Sequence, residues 1–302
     1  MLVDRSGPVE RTGPKEMALD LDRLRALGLS EIEFVAFDTE IAVHAPLDRV
    51  VEIGGVKFQG GEVKAEFSTL VDPGSPISEA GTAVHGITDA MVRGAPKAKE
   101  AIGSFLAFAG DAVLVAHHAP FDAGVLAGEM AREGIAPPGN PILDTRLLAR
   151  ATVKFDSYGL ENLVKSLGLP AELHHRALPD SRHVFRLMRR LVAEPHEISM
   201  AEVLRRNGPP ISFERYVPQA PALPDELLPL KAAASSGEPL TIVYAGEGSP
   251  AAPRVVTPKL LFLKDGVGYL EAFCHQSGFV KTYRLDRIRG LRTEVERGLF
   301  DF

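Results

Sequence analysis

The stretch Ile32-Glu-Phe-Val-Ala-Phe-Asp-Thr-Glu40 decides the fold. Its first six residues are rich in aromatic and aliphatic side chains and predict a buried strand. Asp38 and Glu40 follow at once, and residues two apart in an extended chain project on the same side. Both acids therefore stand at the carboxyl end of a strand, where α/β sheets place their ligands. Taken alone, the pair also fits a solvated strand end.

The segments around this strand follow an order that is typical of an α/β domain. Two further strand-like runs, Arg49–Phe58 and Glu62–Val71, are joined by Gly60-Gly61 and predict a meander. Helical and strand-like segments then alternate as far as a long amphipathic helix over residues 178–193. This order predicts a partly antiparallel, mixed sheet flanked by helices.

Composition changes divide the chain into four parts. We predict a tail with a short helix over residues 1–30, the α/β domain over 31–193, a proline-rich linker over 194–222 and a small all-β domain over 223–302. The linker is expected to hold one short helix and then to continue as a stiff, exposed connector, because prolines dominate its second half. The all-β part has four strand-like runs separated by turn sequences.

Composition and charge limit the classes of function. The chain has 302 residues, 45% of them hydrophobic, and a net charge of −6, which argues against a general nucleic-acid coat protein. An acidic nuclease remains consistent, because bound divalent cations can neutralise a carboxylate cluster. Cys274 is the single cysteine, which favours a reducing, cytoplasmic location. No apolar run predicts a secretion signal or a membrane span, so we expect no membrane association.

Two more acidic residues open predicted helices. Asp122 follows the buried run 112–116 and lies in a first helical turn, where the helix dipole alone also favours an acid. Asp180 precedes Val184 by four residues in the long helix, which places it on the core side. A buried acid needs a cation or hydrogen-bond donors. His175 precedes the same helix in a loop, and the adjacent His174 is the alternative for its role.

Four carboxylates at one sheet edge would repel each other unless cations bind there. Hard divalent ions prefer oxygen ligands, so we predict two Mg²⁺ or Mn²⁺ ions held by Asp38, Glu40, Asp122 and Asp180. Two such ions about 4 Å apart can activate a water and stabilise the departing 3′ oxygen of a phosphodiester. His175 is suited to accept the proton of that water at neutral pH.

Together these motifs resemble those of the DEDDh (DnaQ-like) exonuclease family over about residues 31–191. The matching segments are Phe37–Glu40, Val51–Gly54, Ala83–Thr88, Leu114–Asp122, Tyr158–Leu163 and His175–Asp180. The resemblance implies a ribonuclease-H-like fold, two metal ions and release of nucleoside 5′-monophosphates from single-stranded 3′ ends of DNA or RNA. Ile41, His118 and Ser181 replace the family's usual Thr, Asn and Ala. None of the three is a predicted metal ligand, so we expect these differences to affect substrate binding and not metal binding.

Residues beside the acids are the candidates for gripping a substrate, namely Thr39, Ile41, His85, His118 and Phe121. Two of them have a plain structural alternative. His85 could instead cap the turn over residues 83–88, and Phe121 could instead belong to the core.

The C-terminal part resembles a WYL domain, a small Sm/SH3-like barrel tied to nucleic-acid or nucleotide sensing. The matching segments are Gly268–Leu270, Phe273–His275 and Tyr283–Ile288, although Gly268 replaces the family's Trp and Lys281 its usual Arg. The resemblance implies a ligand site, for which the candidates are Arg254, Tyr269, His275, Arg284 and Arg287. A barrel whose surface arginines only confer solubility is the alternative.

One strand-like run of this part contains a conflict. Leu285 and Ile288 fall on opposite faces by strict alternation. A bulge or a strand end near Asp286 would let both face the core.

Two classes of function follow from these motifs. The first is an active 3′→5′ exonuclease, and the second is a regulatory protein that grips a 3′ end or a ligand with an idle nuclease fold. The full set of acids with His175 favours the enzyme. No motif indicates a protein partner.

Overall fold

The computed structural model describes residues 21–42, 47–172, 175–193 and 198–292. Residues 1–20 of the predicted N-terminal tail and short helix (1–30) and the alternative histidine, His174, lie outside these ranges. The strands are β1 (Phe34–Ala42), β2 (Arg49–Gln59), β3 (Glu62–Leu70), β4 (Val113–Ala116), β5 (Ile142–Asp144), β6 (Leu240–Ala245), β7 (Ala251–Lys264), β8 (Val267–Cys274), β9 (Phe279–Arg284) and β10 (Ile288–Arg292). The helices are α1 (Leu21–Ala26), α2 (Glu79–His85), α3 (Asp89–Val92), α4 (Ala98–Ala109), α5 (Pro120–Glu133), α6 (Thr145–Thr152), α7 (Leu160–Ser166), α8 (Ala177–Val192), α9 (Met200–Asn207) and α10 (Leu228–Ser236).

The first five strands form the predicted mixed sheet, in the order β3-β2-β1-β4-β5. β1 pairs antiparallel with β2 and parallel with β4. Side chains of α8 pack into the core on one face, and those of α4 and α5 pack into a second core on the other. β1 is therefore central. The strand was expected to end before Asp38, but it continues through Asp38 and Glu40 to Ala42, because these residues pair with β2; the acids lie past Ala36, the last residue that pairs with β4.

β2 and α8 approach each other closely, and this contact brings the start of α8 next to the strands of the sheet. A Cβ atom on Gly54 would lie 2.2 Å from the carbonyl carbon of Ala177, at the start of α8. No side chain fits in that distance, so glycine is required at this point of β2. Because Gly54 pairs with Asp38, the contact places the first turn of α8 against the strand that carries the acids.

The prediction that the linker over residues 194–222 continues as an exposed connector is wrong for the middle part of the linker. α9 packs against the exonuclease-like domain through Met200 and Val203, both fully buried. Ile211 pairs with Ile142 of β5, and Phe213 is fully buried with its ring 6.4 Å from that of Phe37. Prolines indicated a stiff segment, but the apolar residues between them bind it to the core.

One shorter segment also differs from expectation. The segment over residues 83–88, considered above as a turn, begins inside α2, whose first turn is capped by Ser78 Oγ accepting from the Gly81 amide at 3.1 Å. The helix ends at Gly86, whose φ of 71° is left-handed. Further along the chain, β5 is followed at once by α6.

The last five strands form an all-antiparallel sheet in the order β10-β6-β7-β8-β9. β9 ends at Arg284, a 3₁₀ turn covers Leu285–Arg287, and β10 begins at Ile288. The predicted strand end near Asp286 is confirmed, because both Leu285 and Ile288 are buried. Closure into an Sm/SH3-like barrel is not confirmed, since β10 and β9 stand at opposite edges of this sheet.

Helices able to cross a membrane were sought over the residues that the structure describes. None of them is both long and apolar enough.

Candidate active site

Three carboxyl groups meet at the carboxyl end of β1. One carboxylate oxygen each of Asp38, Glu40 and Asp180 lies within 4.8 Å of the other two. Glu40 and Asp180 are buried, with residue exposures of 8% and 7%. The predictions that Asp38 and Glu40 share a face and that Asp180 points inward are confirmed.

Burial and mutual repulsion both disfavour the charged forms of these groups. Burial is the larger cause and repulsion by Asp180 the next for Glu40, whose pKa is raised to about 8. For Asp38, burial and then repulsion by Asp122 raise the pKa well above its ordinary value. Carboxylates that repel in this way are stabilised when a cation binds between them.

The fourth acid, Asp122, lies next to this cluster but is oriented by a different partner. Its Oδ1 accepts hydrogen bonds from the Thr39 amide at 3.0 Å and from Thr39 Oγ1 at 2.7 Å. Burial raises the pKa of Asp122 to about 7, against these hydrogen bonds. Three of the four expected acids thus meet directly, and the Thr39 hydroxyl, a predicted substrate contact, already orients the fourth.

Asp180 is held by two donors, one of which the sequence did not reveal. The His175 amide donates to its Oδ2 at 2.8 Å. His183 Nε2 accepts from the Glu172 amide at 3.0 Å, so in the neutral ring Nδ1 carries the proton and donates to Asp180 Oδ1 at 3.2 Å. The signal for His183 was its position three residues after Asp180, on the same helix face.

An ion pair between buried Glu52 and partly exposed Arg176 fixes the chain between His175 and α8. Glu52 of β2 accepts from Arg176 Nε at 2.9 Å, from Arg176 Nη2 at 2.6 Å and from the Ala177 amide at 2.9 Å. The Glu52 side chain is 3% exposed. Sequence reasoning gave Glu52 and Arg176 no role, although a glutamate inside an apolar strand was the available signal.

His175 itself is exposed and has a left-handed φ of 62°. Such a φ is uncommon for a residue other than glycine and persists only where neighbours hold it. Here the neighbours are Asp180, through the His175 amide, and the Glu52–Arg176 pair on the next residue. The loop that carries the predicted base is therefore fixed to the acid cluster.

His85 and Ile41 are linked to each other. His85 Nδ1 accepts from the Ile87 amide at 2.9 Å, so Nε2 donates to the Ile41 carbonyl at 3.1 Å. The capping alternative for His85 is confirmed. Burial is the main cause that lowers the pKa of His85, and the positive charge of Arg176 lowers it further.

His118 and Phe121 flank the start of α5. His118 is exposed with φ of 66°, its amide donates to Asp144 Oδ1 at 3.0 Å, and Arg146 Nη1 lies 3.2 Å from its Nδ1. Phe121 is 44% exposed, so its assignment to the core is wrong. Contact of either with a substrate stays a prediction.

The five C-terminal candidates do not share one face. Tyr269 and Arg284 are cross-strand partners of β8 and β9. Arg254 pairs with buried Ile242 and lies two residues before buried Val256, so it shares their face, which is opposite to that of Tyr269. His275 follows β8 and its Nε2 contacts Thr257 Oγ1 at 2.9 Å, while Arg287 lies in the 3₁₀ turn after β9.

The donor set fits divalent cations. All of the clustered ligand atoms are carboxylate oxygens, which Mg²⁺ and Mn²⁺ prefer. Burial, and after it repulsion by the neighbouring acids, raises the pKa values of Asp38 and Glu40, and a bound cation would offset both effects.

Comparison with known proteins agrees with this geometry. The RNase_T exonuclease family matches residues 35–188, and the WYL domain matches residues 225–293. The PolC-type DNA polymerase III of Halalkalibacterium halodurans is 35% identical over 173 residues, which make up 56% of this chain and 12% of the polymerase. The chain therefore matches only a small part of that relative's length.

Two solved structures share the fold at low sequence identity. The nuclease domain of 3′hExo, a DEDDh family member bound to rAMP, is 16% identical with a TM-score of 0.50 and covers 55% of this chain and 94% of that domain. Exonuclease I is 15% identical with a TM-score of 0.51, over 80% of this chain and 55% of its own. The α/β domain thus has the ribonuclease-H-like exonuclease fold.

The first match spans more than half of the chain and contains all of the clustered acids. The chain belongs to the RNase_T exonuclease family. Its C-terminal part is a WYL domain.

The raised pKa of Glu40 predicts a pH dependence of stability. Its folded value is about 8 against an ordinary value of 4.5, so the folded protein binds this proton more tightly than the unfolded chain. In metal-free protein the unfolding free energy should therefore fall as pH rises from about 4.5 to about 8. Glu40→Gln should raise the metal-free Tm at pH 8 and change it little at pH 5.

Thermal unfolding in EDTA between pH 5 and pH 9 measures this effect. Glu62→Gln is the control, because the Glu62 side chain is 79% exposed. Equal Tm values for Glu40→Gln and wild type at pH 8 would contradict the repulsion described above.

Proposed function

We propose that the protein hydrolyses single-stranded DNA or RNA from the 3′ end and releases nucleoside 5′-monophosphates. Asp38, Glu40, Asp122 and Asp180 hold two Mg²⁺ or Mn²⁺ ions in this proposal. The observation that carries it is the meeting of three carboxyl groups within 4.8 Å, with the His175 amide bound to one of them.

The division of work among the side chains follows from their positions. Bound divalent cations supply the positive charge that acidifies a water and stabilises the departing 3′ oxygen. His175, exposed beside the cluster, accepts the proton of that water. Thr39 orients Asp122 and His183 orients Asp180, so that both carboxylates face the ions.

His118 and Phe121 are placed to contact the substrate strand. Both are exposed at the start of α5, next to Asp122. An exposed aromatic ring offers a stacking surface for a base. Arg146, beside His118, adds a positive charge suited to a phosphate.

We further propose that the WYL domain binds a nucleotide or single-stranded nucleic acid on the face of Tyr269 and Arg284. The Tyr269 ring stacks on Phe262 with centroids 5.4 Å apart. Arg284 pairs with Asp286, which is 59% exposed, and Arg287 pairs at 3.5 Å with Glu247, which is 89% exposed. Exposed ion pairs are weak, so a phosphate can replace the carboxylates.

Digestion of 5′-labelled single-stranded DNA and RNA with Mg²⁺, Mn²⁺ or EDTA tests the exonuclease directly. Wild type should give a one-nucleotide ladder with either metal and none in EDTA. Asp38→Ala should lower the rate by well over the ~10–100-fold that follows loss of a residue behind the ligands. Its fold should persist, because removal of one charge relieves repulsion.

Asp111→Ala is the matched control, since Asp111 is an exposed acid before β4. It should cut at the wild-type rate. Near-normal cleavage by Asp38→Ala would show that the metal assignment is wrong.

The role of His175 is tested by His175→Asn, because asparagine tolerates the left-handed φ of this position. Turnover should fall by roughly 10²–10⁴-fold, the usual contribution of a positioned base. Mn²⁺ affinity measured by calorimetry should change little, since the imidazole is not a proposed ligand. His174→Asn should be active. If His174→Asn is inactive and His175→Asn is active, the base is His174 and not His175.

For the WYL domain, the full-length double variant Arg284→Ala/Arg287→Ala should lose affinity for labelled oligonucleotides or nucleotides at low salt. Binding by wild type should weaken as salt rises. Arg205→Ala is the control, because Arg205 is an exposed arginine of α9. If the double variant binds as wild type does, the arginines serve solubility and not recognition.

A further inference from the structure

A second cluster of buried charges joins the exonuclease domain to the WYL domain. Glu271, in the middle of β8, accepts from Arg49 Nη1 at 2.7 Å and from Arg132 Nε at 2.9 Å through each of its oxygens. Glu129 completes the cluster, with its Oε1 3.1 Å from Arg132 Nη1 and 3.4 Å from Arg49 Nε. The exposed fraction of these four side chains lies between 0% and 7%.

Glu271 projects away from the core of its own domain. Its neighbours Leu270 and Ala272 are fully buried in that core, so Glu271 lies on the opposite face of β8. That face contacts the exonuclease domain through charges and not through apolar side chains alone. Two glutamates and two arginines give the cluster no net charge.

The arginines also hold the chain next to the active site. Arg132 Nη1 donates to the Asp48 carbonyl at 3.1 Å, and its Nη2 donates to the Leu47 carbonyl at 3.2 Å. Arg49 begins β2 and pairs with Ala42, two residues after Glu40. The cluster therefore fixes the point where β2 returns beside the carboxyl end of β1.

Glu129 connects the cluster to the same strands. Its Oε1 accepts from the Val50 amide at 3.1 Å, and Val50 pairs with Ile41, where the register of β1 and β2 shifts after Glu40. Glu129 and Arg132 belong to α5, whose first turn carries Asp122. Glu271 is thus one hydrogen bond away from α5, which carries Asp122, and from β2, which pairs with the strand that carries Asp38 and Glu40.

We propose that Glu271 is a positioning residue of the exonuclease site, so that the WYL domain is a required part of the active enzyme. Without Glu271, Arg49 and Arg132 keep only Glu129 as a buried counter-charge. The arginines then shift toward water, and the start of β2 moves with the carbonyls that Arg132 holds. The proposal rests on the exonuclease function proposed above.

The test uses the full chain with two substitutions at Glu271. Glu271→Gln keeps the shape and removes the charge, whereas Glu271→Asp keeps the charge and shortens the side chain. The assay is hydrolysis of a chromogenic nucleoside 5′-phosphate ester, which is too small to reach from the acid cluster to the WYL face. Glu238→Gln, an exposed glutamate of the same domain, is the control.

We expect kcat to fall in the order wild type, Glu271→Asp, Glu271→Gln, with KM little changed. The loss in Glu271→Gln should be about 10-fold or more, within the ~100-fold that a misplacement of about 1 Å can cause. Mn²⁺ affinity, measured by calorimetry, should weaken in the same order. A contact that only joins the domains would lower Tm and leave kcat and Mn²⁺ affinity unchanged in folded protein.

Wild-type kcat and wild-type Mn²⁺ affinity in folded Glu271→Gln would overturn the proposal. If Glu271→Gln does not fold, the same two values in Glu271→Asp, which keeps the charge balance, would overturn it. Activity of wild type in this assay tests the proposed exonuclease separately, because the role of Glu271 is judged from the ratio to wild type and from Mn²⁺ affinity.

Discussion

Repulsion among Asp38, Glu40 and Asp180 is the constraint to which the rest of the site is adapted. Two unit charges 4 Å apart interact by about 4 kcal/mol at the effective dielectric constant of a protein surface, and these carboxyl groups lie within 4.8 Å of each other. That cost is larger than the ~0–1 kcal/mol of an exposed ion pair. The fold must therefore hold the three groups together through other contacts until cations bind.

Those contacts fix the backbone that carries the acids. Glu52 binds Arg176 and the Ala177 amide at the start of α8, and Gly54 lets that helix approach β2 without a side chain between them. His183 then donates to Asp180 from inside the core. Removing any one of these would let Asp180 move away from Asp38, which is the direction that repulsion already favours.

The sequence predicted the parts of the site that depend on local pattern. A strand that contains Asp38-Thr-Glu40, and an acid four residues before Val184, place three carboxylates by strand and helix periodicity alone. Partners distant in sequence were not predictable in this way. Thr39 and Asp122 are 83 residues apart, and Arg176 and Glu52 are 124 apart, so only the folded chain shows which donor each acid binds. The position of Phe213 was not predictable either. Prolines around it suggested an exposed linker, although its ring is fully buried.

The buried cluster around Glu271 is poorly explained as a source of stability. Burying two ion pairs costs desolvation that their attraction does not reliably repay, and apolar side chains of similar volume are often at least as stabilising. The charges instead fix the orientation of the two domains, because Glu271 accepts hydrogen bonds from Arg49 and Arg132 in one arrangement only. An apolar contact would tolerate sliding of one domain over the other, whereas a displacement of about 1 Å at these hydrogen bonds leaves buried charges without partners. The cluster therefore sets the position of β8 against β2 and α5. β2 pairs with the strand that carries Glu40, and α5 carries Asp122.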